Sequence, residues 1–195
     1  MIVVKPSDLK RFVYCPRLPL WDLLSPSKPP ILQRLKMFKG KLYHFFKGLP
    51  MKGIKEELME AELHGVRLLG KPDCYGVYED KVILIELKSY RAPKLPYYFK
   101  GIELLCYPSD LAQLLCYAYI LRWRYDKDVI MVLNYRDRAI PLKYDGAFES
   151  LLESLVDEYA FTVENLILHD TSFNLRCTKC QYFNLCLQVE EKCWG

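Results

Sequence analysis

The stretch VRLLGKPDCYGVYEDKVILIELKSY, Val66 to Tyr90, sets Asp73, Glu86 and Lys88 around short apolar runs. Side chains on a strand alternate between faces, so Glu86 and Lys88, two apart, share a face with Leu84. Ile83, Ile85 and Leu87 take the opposite face and are expected to enter the core. Asp73 opens the preceding run, and a hairpin turning at Glu79-Asp80 brings it back beside Glu86. Two carboxylates and an ammonium then converge near one end of a sheet. Hard oxygen ligands of this kind suit Mg²⁺ or Mn²⁺. Such an ion polarises a phosphoryl oxygen and lowers the pKa of a bound water. Lys88 beside it would position the nucleophile and stabilise developing charge. That is the chemistry of metal-assisted phosphodiester hydrolysis. An isolated E-x-K also describes a solvated strand edge with an ordinary ion pair.

The elements that must position these residues are readable around them. Ser7 is expected to cap a helix over Asp8–Val13 that stops near Cys15-Pro16. Leu24 to Pro30 is a turn-rich connector. Residues 31–47 read as a basic helix, and residues 54–63 as a short helix or strand. Strands are expected over Val66–Leu69, Cys74–Tyr78 and Val82–Lys88. The Pro- and Tyr-rich stretch Arg91–Pro108 reads as a loop. A helix over residues 109–124, capped by Ser109, turns Leu111, Leu114, Leu115, Ala118 and Leu121 to one face. Val129–Leu133 is a central strand with Arg138–Tyr144 as its antiparallel neighbour. Residues 146–168 form a long helix with Leu151, Leu152, Leu155 and Val156 inward. This order belongs to the α/β class, a mixed central β-sheet flanked by helices.

The chain of 195 residues is 51% hydrophobic and 27% charged, which excludes a disordered polymer. Its net charge of +4 permits a nucleic-acid partner without requiring one. The start, MIVVKPSDLKRF, has no long apolar region and no small-residue cleavage site, and no run is long enough for a membrane span. A soluble, cytoplasmic protein is expected. Eight cysteines in a reducing compartment point to metal ligands rather than disulfides. Cys177, Cys180 and Cys186 form a C-x2-C-x5-C tail, and a tetrahedral or cubane site wants a fourth thiolate. Cys193 is nearest and would complete a zinc ribbon. Cys15, Cys74 and Cys106 are further candidates, and Cys116 reads as core.

Gly70-Lys71-Pro72-Asp73 followed by Ile85-Glu86-Leu87-Lys88 resembles the PD-(D/E)XK nuclease superfamily. More narrowly it resembles the RecB-like branch, in which a following helix carries a Gln and a Tyr four residues apart. Gln113 and Tyr117 match that pattern, and the spacing puts both on one helix face. The resemblance implies a restriction-endonuclease-like core and catalytic roles for Asp73, Glu86, Lys88, Gln113 and Tyr117. It also implies that His44, in GKLYHFFKG, and the carbonyl of Leu87 join Asp73 and Glu86 as ligands of Mg²⁺ or Mn²⁺.

The segment FVYCPRLPLW, Phe12 to Trp21, resembles the N-terminal cysteine motif of the iron–sulfur nucleases in that branch. This implies that Cys15, Cys177, Cys180 and Cys186 hold a [4Fe–4S] cluster, with [2Fe–2S] or Zn²⁺ as alternatives, and that the cluster staples the two ends of the chain. Both constellations together are similar to the CRISPR-associated exonucleases of the fourth Cas family. The implied activity is metal-dependent degradation of DNA, mainly single-stranded, in CRISPR adaptation, with the CRISPR integrase complex as partner. The implied organisation is one domain, 1–195, with a nuclease core over roughly 31–168 and an iron–sulfur region from roughly 7–30 plus 171–195. No G-x-x-x-x-G-K-[ST] occurs, which removes the helicase fusions that share this module.

Tyr97, Tyr98 and Phe99 beside Lys94 and Lys100 suit stacking and charge contacts to a single strand, or a loop packed by its own aromatics. Lys36, Lys39, Lys41 and Lys47 line a DNA channel or a solvated helix face. Arg17 pairs with a DNA phosphate or a carboxylate, or lies at the surface. His64 reads as a helix C-terminal residue and His169 as a surface residue. Two rival functions stand beside the nuclease. One is a cluster- or zinc-bearing DNA-binding adaptor, and the other a scaffold subunit of a CRISPR or repair complex.

Overall fold

Lys81–Leu87 (β5) is the strand about which the rest is arranged. It pairs antiparallel with Cys74–Val77 (β4) and parallel with Asp128–Asn134 (β8), which pairs antiparallel with Ala139–Lys143 (β9). The result is a four-stranded mixed sheet of order β4-β5-β8-β9. The computed structural model describes residues 1–26, 57–174 and 176–194. Residues 31–47, including His44, Lys36, Lys39, Lys41 and Lys47, lie outside the described residues.

A second, three-stranded sheet places Val66–Gly70 (β3) between Val3–Val4 (β1), parallel to it, and Met59–Leu63 (β2), antiparallel. Residues 54–63, readable as helix or strand, thus end in a strand. Its alternation of buried Met59, Ala61 and Leu63 with exposed Glu60 and Glu62 is the period of a half-buried sheet face. His64 does not end a helix. His64 and Gly65 have φ of 50° and 74° and form the two-residue turn between β2 and β3.

The expected loop Arg91–Pro108 contains a small hairpin instead, Tyr97–Phe99 (β6) and Ile102–Leu104 (β7). Its turn is Lys100-Gly101, again with both φ positive, at 48° and 79°. Two consecutive left-handed residues match the twist of paired strands, and glycine takes such a φ without strain. The aromatic run before Lys100 supplied strand-forming residues that the surrounding prolines obscured.

Five helices are described: Pro6–Tyr14 (α1), Leu18–Leu24 (α2), Pro108–Tyr125 (α3), Gly146–Glu164 (α4) and Phe183–Trp194 (α5). Ser7 and Ser109 do not cap. In α1 and α3 the prolines before them take the first helical position, where a missing N–H costs nothing. Lys5 is the cap of α1, its N–H donating to the Asp8 carboxylate at 3.0 Å. Asp145 caps α4 by accepting from the Phe148 N–H at 3.1 Å.

Helix α3 lies between β5 and β8 on one side and α1 and α4 on the others, so it is buried almost all round. Leu111, Leu114, Leu115, Ala118 and Leu121 have no exposed surface. Truncating one such leucine to alanine typically costs about 2–5 kcal/mol. On β5 the inward face is that of Val82, Leu84 and Glu86, while Ile83 and Ile85 are half-buried. The expectation that Ile83 and Ile85 enter the core is therefore reversed, because α3 covers the face that carries the charges. Leu87 is buried as expected. The fold is a mixed α/β one, with mixed sheets flanked by helices.

Candidate active site

Glu86 and Lys88 are 3% and 4% exposed, so the solvated strand edge is excluded. The register that pairs Cys74 with Ile85 sets Asp73 beside Glu86 at the open end of the β4–β5 pair. Asp73 is held there by accepting the Leu87 N–H at 3.1 Å. The Lys88 ammonium donates to Glu86 Oε1 at 3.0 Å and to Gln113 Oε1 at 2.8 Å. Gln113, one turn into α3, donates its amide to the same Glu86 oxygen at 2.7 Å. The i and i+3 positions on α3 serve the site together, because Asp110 lies 3.5 Å from Lys88.

Asp110 has no exposed surface, yet it is ionised by its company. Burial raises its pKa, but Lys88 and Lys10 more than offset this and hold it below the ordinary carboxylate range. It accepts from the Tyr90 hydroxyl at 2.5 Å and the Tyr135 hydroxyl at 2.9 Å, and pairs with Lys10 at 2.9 Å. Lys10 arrives from α1, which packs along α3. Sequence reasoning missed Lys10, Tyr90, Asp110 and Tyr135. The signal available for Asp110 was an acid in the first turn of a helix, which reads as a dipole partner. For the other three no local pattern existed, because their partners are distant in sequence.

The electrostatics follow from burial. Glu86 is pushed up to about 7, chiefly by desolvation, with Lys88 opposing and Asp73 adding to the shift. Burial alone would lower Lys88, but the Glu86 and Asp110 carboxylates raise it above its ordinary value. The second Glu86 oxygen, Oε2, is buried without a hydrogen-bond partner. A buried carboxylate oxygen left so is costly unless a cation or donor completes it. Asp73, Glu86, Leu87, Lys88, Gln113 and Lys10 share the walls of an open cleft of about 270 Å³.

Tyr117, one turn beyond Gln113, is 8% exposed. It packs where β3 ends, and a Cβ on Gly70 would stand 2.7 Å from its ring and 2.7 Å from Pro6. The glycine of the Gly70-Lys71-Pro72-Asp73 motif is thus a space requirement of the helix that carries Gln113. Burial raises the Tyr117 phenol well above its ordinary range.

The hairpin residues stand apart from this cleft in their contacts. Tyr97 is half-buried and its ring lies 5.7 Å from that of Tyr107, which in turn meets Tyr90 and Tyr135 at 5.9 and 6.0 Å. An aromatic row therefore links the hairpin to the hydroxyls that hold Asp110. Tyr98 is exposed and donates to Glu103 at 3.1 Å. Lys94 is exposed, and Lys100 is ion-paired with Glu158 of α4.

The cysteines of the two chain ends meet elsewhere. Cys15 ends α1, and Cys177 and Cys180 bracket a short 3₁₀ turn. All three line one cleft of about 390 Å³. Cys186 lies behind it, accepting from the Trp21 indole at 3.2 Å. A small core of Leu18, Trp21 and Tyr182 packs against Cys15, Cys180 and Cys186. Burial raises the Cys15 and Cys180 thiols, and the neighbouring cysteines add to it. Among the described residues, no group of three or more His, Cys, Asp or Glu is arranged to hold a metal ion.

Arg17 is neither a surface residue nor free for a phosphate. It is 5% exposed, donates to the His169 carbonyl at 2.6 Å and pairs with Glu190 at 2.8 Å. His169 is half-buried, against Thr162 at 2.7 Å and the Phe12 ring at 5.8 Å. Cys74, Cys106 and Cys116 are buried in the main fold, away from the tail cysteines.

No family model matches the chain, and no curated protein matches it in sequence. Among solved structures it is similar to the crystal structure of SSO0001, with a TM-score of 0.54 at 20% identity over 94% of this chain and 85% of that one. That likeness is one of fold. Weaker likenesses run to a putative exonuclease from Eubacterium rectale, with a TM-score of 0.46 at 14% identity over 92% of this chain and 71% of that one. A third is to an alkaline exonuclease from Laribacter hongkongensis, with a TM-score of 0.40 at 16% identity over 84% and 90%. TM-scores below 0.5 leave these two without weight. Among the described residues no helix is long and apolar enough to cross a membrane.

Proposed function

We propose that this protein is a divalent-metal-dependent DNA exonuclease of the PD-(D/E)XK type. The observation that carries the reading is the unpartnered Oε2 of buried Glu86 beside Asp73, in a cleft that also holds Lys88 and Gln113. An orphaned carboxylate oxygen next to a second carboxylate fits a Mg²⁺ or Mn²⁺ ion, held by Asp73, Glu86 and the Leu87 carbonyl, with His44 as a further ligand. When bound, that ion supplies Lewis acidity and a water of lowered pKa. Lys88 stands beside the ligands with its charge maintained by Glu86 and Asp110, where it orients the attacking oxygen and offsets charge gathering on the phosphate. Gln113 fixes both Lys88 and Glu86 in one geometry, which is the larger part of what such a site needs. Tyr117 supports the helix turn that carries Gln113.

The finer reading is single-stranded DNA as substrate and prespacer trimming in CRISPR adaptation, with the integrase complex as partner, in a cytoplasmic protein. It rests on the sequence resemblance together with these residues. Cys15, Cys177, Cys180 and Cys186 are the residues that would hold an iron–sulfur cluster. The donor types fit, and the four come from both chain ends to one region, although their described placement is not that of ligands.

Calorimetric titration with Mn²⁺ tests the site itself. Wild type and Lys88→Ala are expected to bind the ion, and Asp73→Ala and Glu86→Ala to lose it. Binding that survives both carboxylate substitutions would remove the metal from this cleft.

A further inference from the structure

We propose that Lys10, on the N-terminal helix α1, binds a phosphate of the substrate strand in the cleft. The proposal rests on the nuclease reading and adds a residue to it. Among the described residues, two lysines line the cleft. The Lys88 side chain is 5% exposed, donates to Glu86 at 3.0 Å and to Gln113 at 2.8 Å, and lies 3.5 Å from the Asp110 carboxylate. Enclosed in this way, it offers a strand little surface beyond the reacting phosphate. The Lys10 side chain is 32% exposed, pairs with Asp110 at 2.9 Å, donates to the Tyr90 hydroxyl at 3.4 Å and neighbours the Lys88 ammonium. Of the two described lysines of the cleft it is the one a strand can reach.

The setting of Lys10 is that of a built contact rather than a solvated lysine. Asp110 is fully buried and is shared by Lys10, Lys88, Tyr90 and Tyr135. It holds the Lys10 head beside the cleft without competing for it from the solvent side. Asp73 and Glu86 line the same cleft and repel a polyanion, and a lysine that the strand can reach offsets that repulsion beside the proposed ion. On the nuclease reading, the anion presented to this ammonium is a phosphodiester oxygen, which a lysine holds as a point charge.

Equilibrium binding of a fluorescein-labelled oligothymidylate, with Ca²⁺ replacing Mn²⁺ and at several salt concentrations, tests this. Lys10→Ala is expected to weaken binding roughly tenfold. The slope of log Kd against log salt should shrink by about 0.7, the share of one phosphate contact on a single strand. Lys10→Arg should restore both. In Mn²⁺, Lys10→Ala should raise KM by more than it lowers kcat. Lys10→Gln keeps a donor to Asp110 and replaces Lys10→Ala should the latter not fold. An unchanged salt slope in a folded variant whose parent binds and cuts would overturn the proposal and leave Lys10 a structural partner of Asp110. A wild type that neither binds nor cuts would overturn the nuclease reading and this proposal with it.

Discussion

Lys88 donates to Glu86 Oε1 at 3.0 Å, and neither side chain is more than 5% exposed. The pair sits on the strand face that helix α3 covers, so the site is cut into the core rather than laid on the surface. Its two members are not matched, because the other Glu86 oxygen has no partner. The proposed divalent-ion site is built on that unpartnered oxygen.

That imbalance sets a pH dependence. The Glu86 carboxyl is pushed up from 4.5 to about 7, mainly by burial. The metal-free folded state then holds a proton that the unfolded state has lost. Stability from this group is fully present below about pH 4.5 and is lost as pH rises through about 7, a change of roughly 3 kcal/mol. Metal binding needs the ionised form, so Mn²⁺ affinity should fall about tenfold per pH unit below 7. Thermal melts of the metal-free protein from pH 4 to 9, beside Glu86→Gln, check the first part. The variant should lose the slope between pH 5 and 7.

Gln113 contacts both members of the pair, accepting from Lys88 at 2.8 Å and donating to Glu86 at 2.7 Å. Gln113→Ala should free the Lys88 head and release one bond to Glu86, while Asp73 keeps its bond from the Leu87 N–H. A fall of about ten- to a hundredfold in kcat, with KM within a factor of about two, is expected. A large rise in KM alone would instead make Gln113 a substrate contact.

Gly70 is a packing requirement. A Cβ there would meet Pro6 Cγ and Tyr117 Cε1 at 2.7 Å each. Gly70→Ala should destabilise the protein by about 1–3 kcal/mol through that overpacking, read as a drop in Tm. Because Tyr117 is one turn from Gln113, kcat should fall as well. A variant as stable as wild type would show that the N-terminal segment yields at no cost.

Arg17 anchors the tail to α2 through the His169 carbonyl at 2.6 Å and Glu190 at 2.8 Å. Arg17→Ala removes both bonds, and a loss of roughly 2 kcal/mol follows. Proteolysis should then open the cysteine tail before the cleft that holds Glu86 and Lys88. Iron or zinc content, read by elemental analysis, should fall in Arg17→Ala and Cys180→Ala alike. Metal content equal to wild type in Cys180→Ala would remove that residue from the ligand set.

The strands β5 and β8 are legible because short runs of β-branched and aliphatic residues bounded by turn residues favour a strand. The meeting of Asp73 with Glu86 followed from a hairpin with a short turn. The side of β5 that faces the core was not legible. Both faces carry aliphatic residues, and only the position of α3 decides between them. The hairpin at Lys100-Gly101 was hidden by its prolines. Asp110 and Lys10 were missed because their roles arise from contacts across 100 positions of chain, which no local period records.

Cleavage of end-labelled single-stranded DNA with Mn²⁺, wild type beside Lys88→Ala and with EDTA as control, addresses the central claim most directly. Shortening by wild type that needs the metal, and none by a folded Lys88→Ala, is the expected result. A wild type that binds Mn²⁺ and leaves the DNA intact, or a Lys88→Ala that cuts at the wild-type rate, would contradict it.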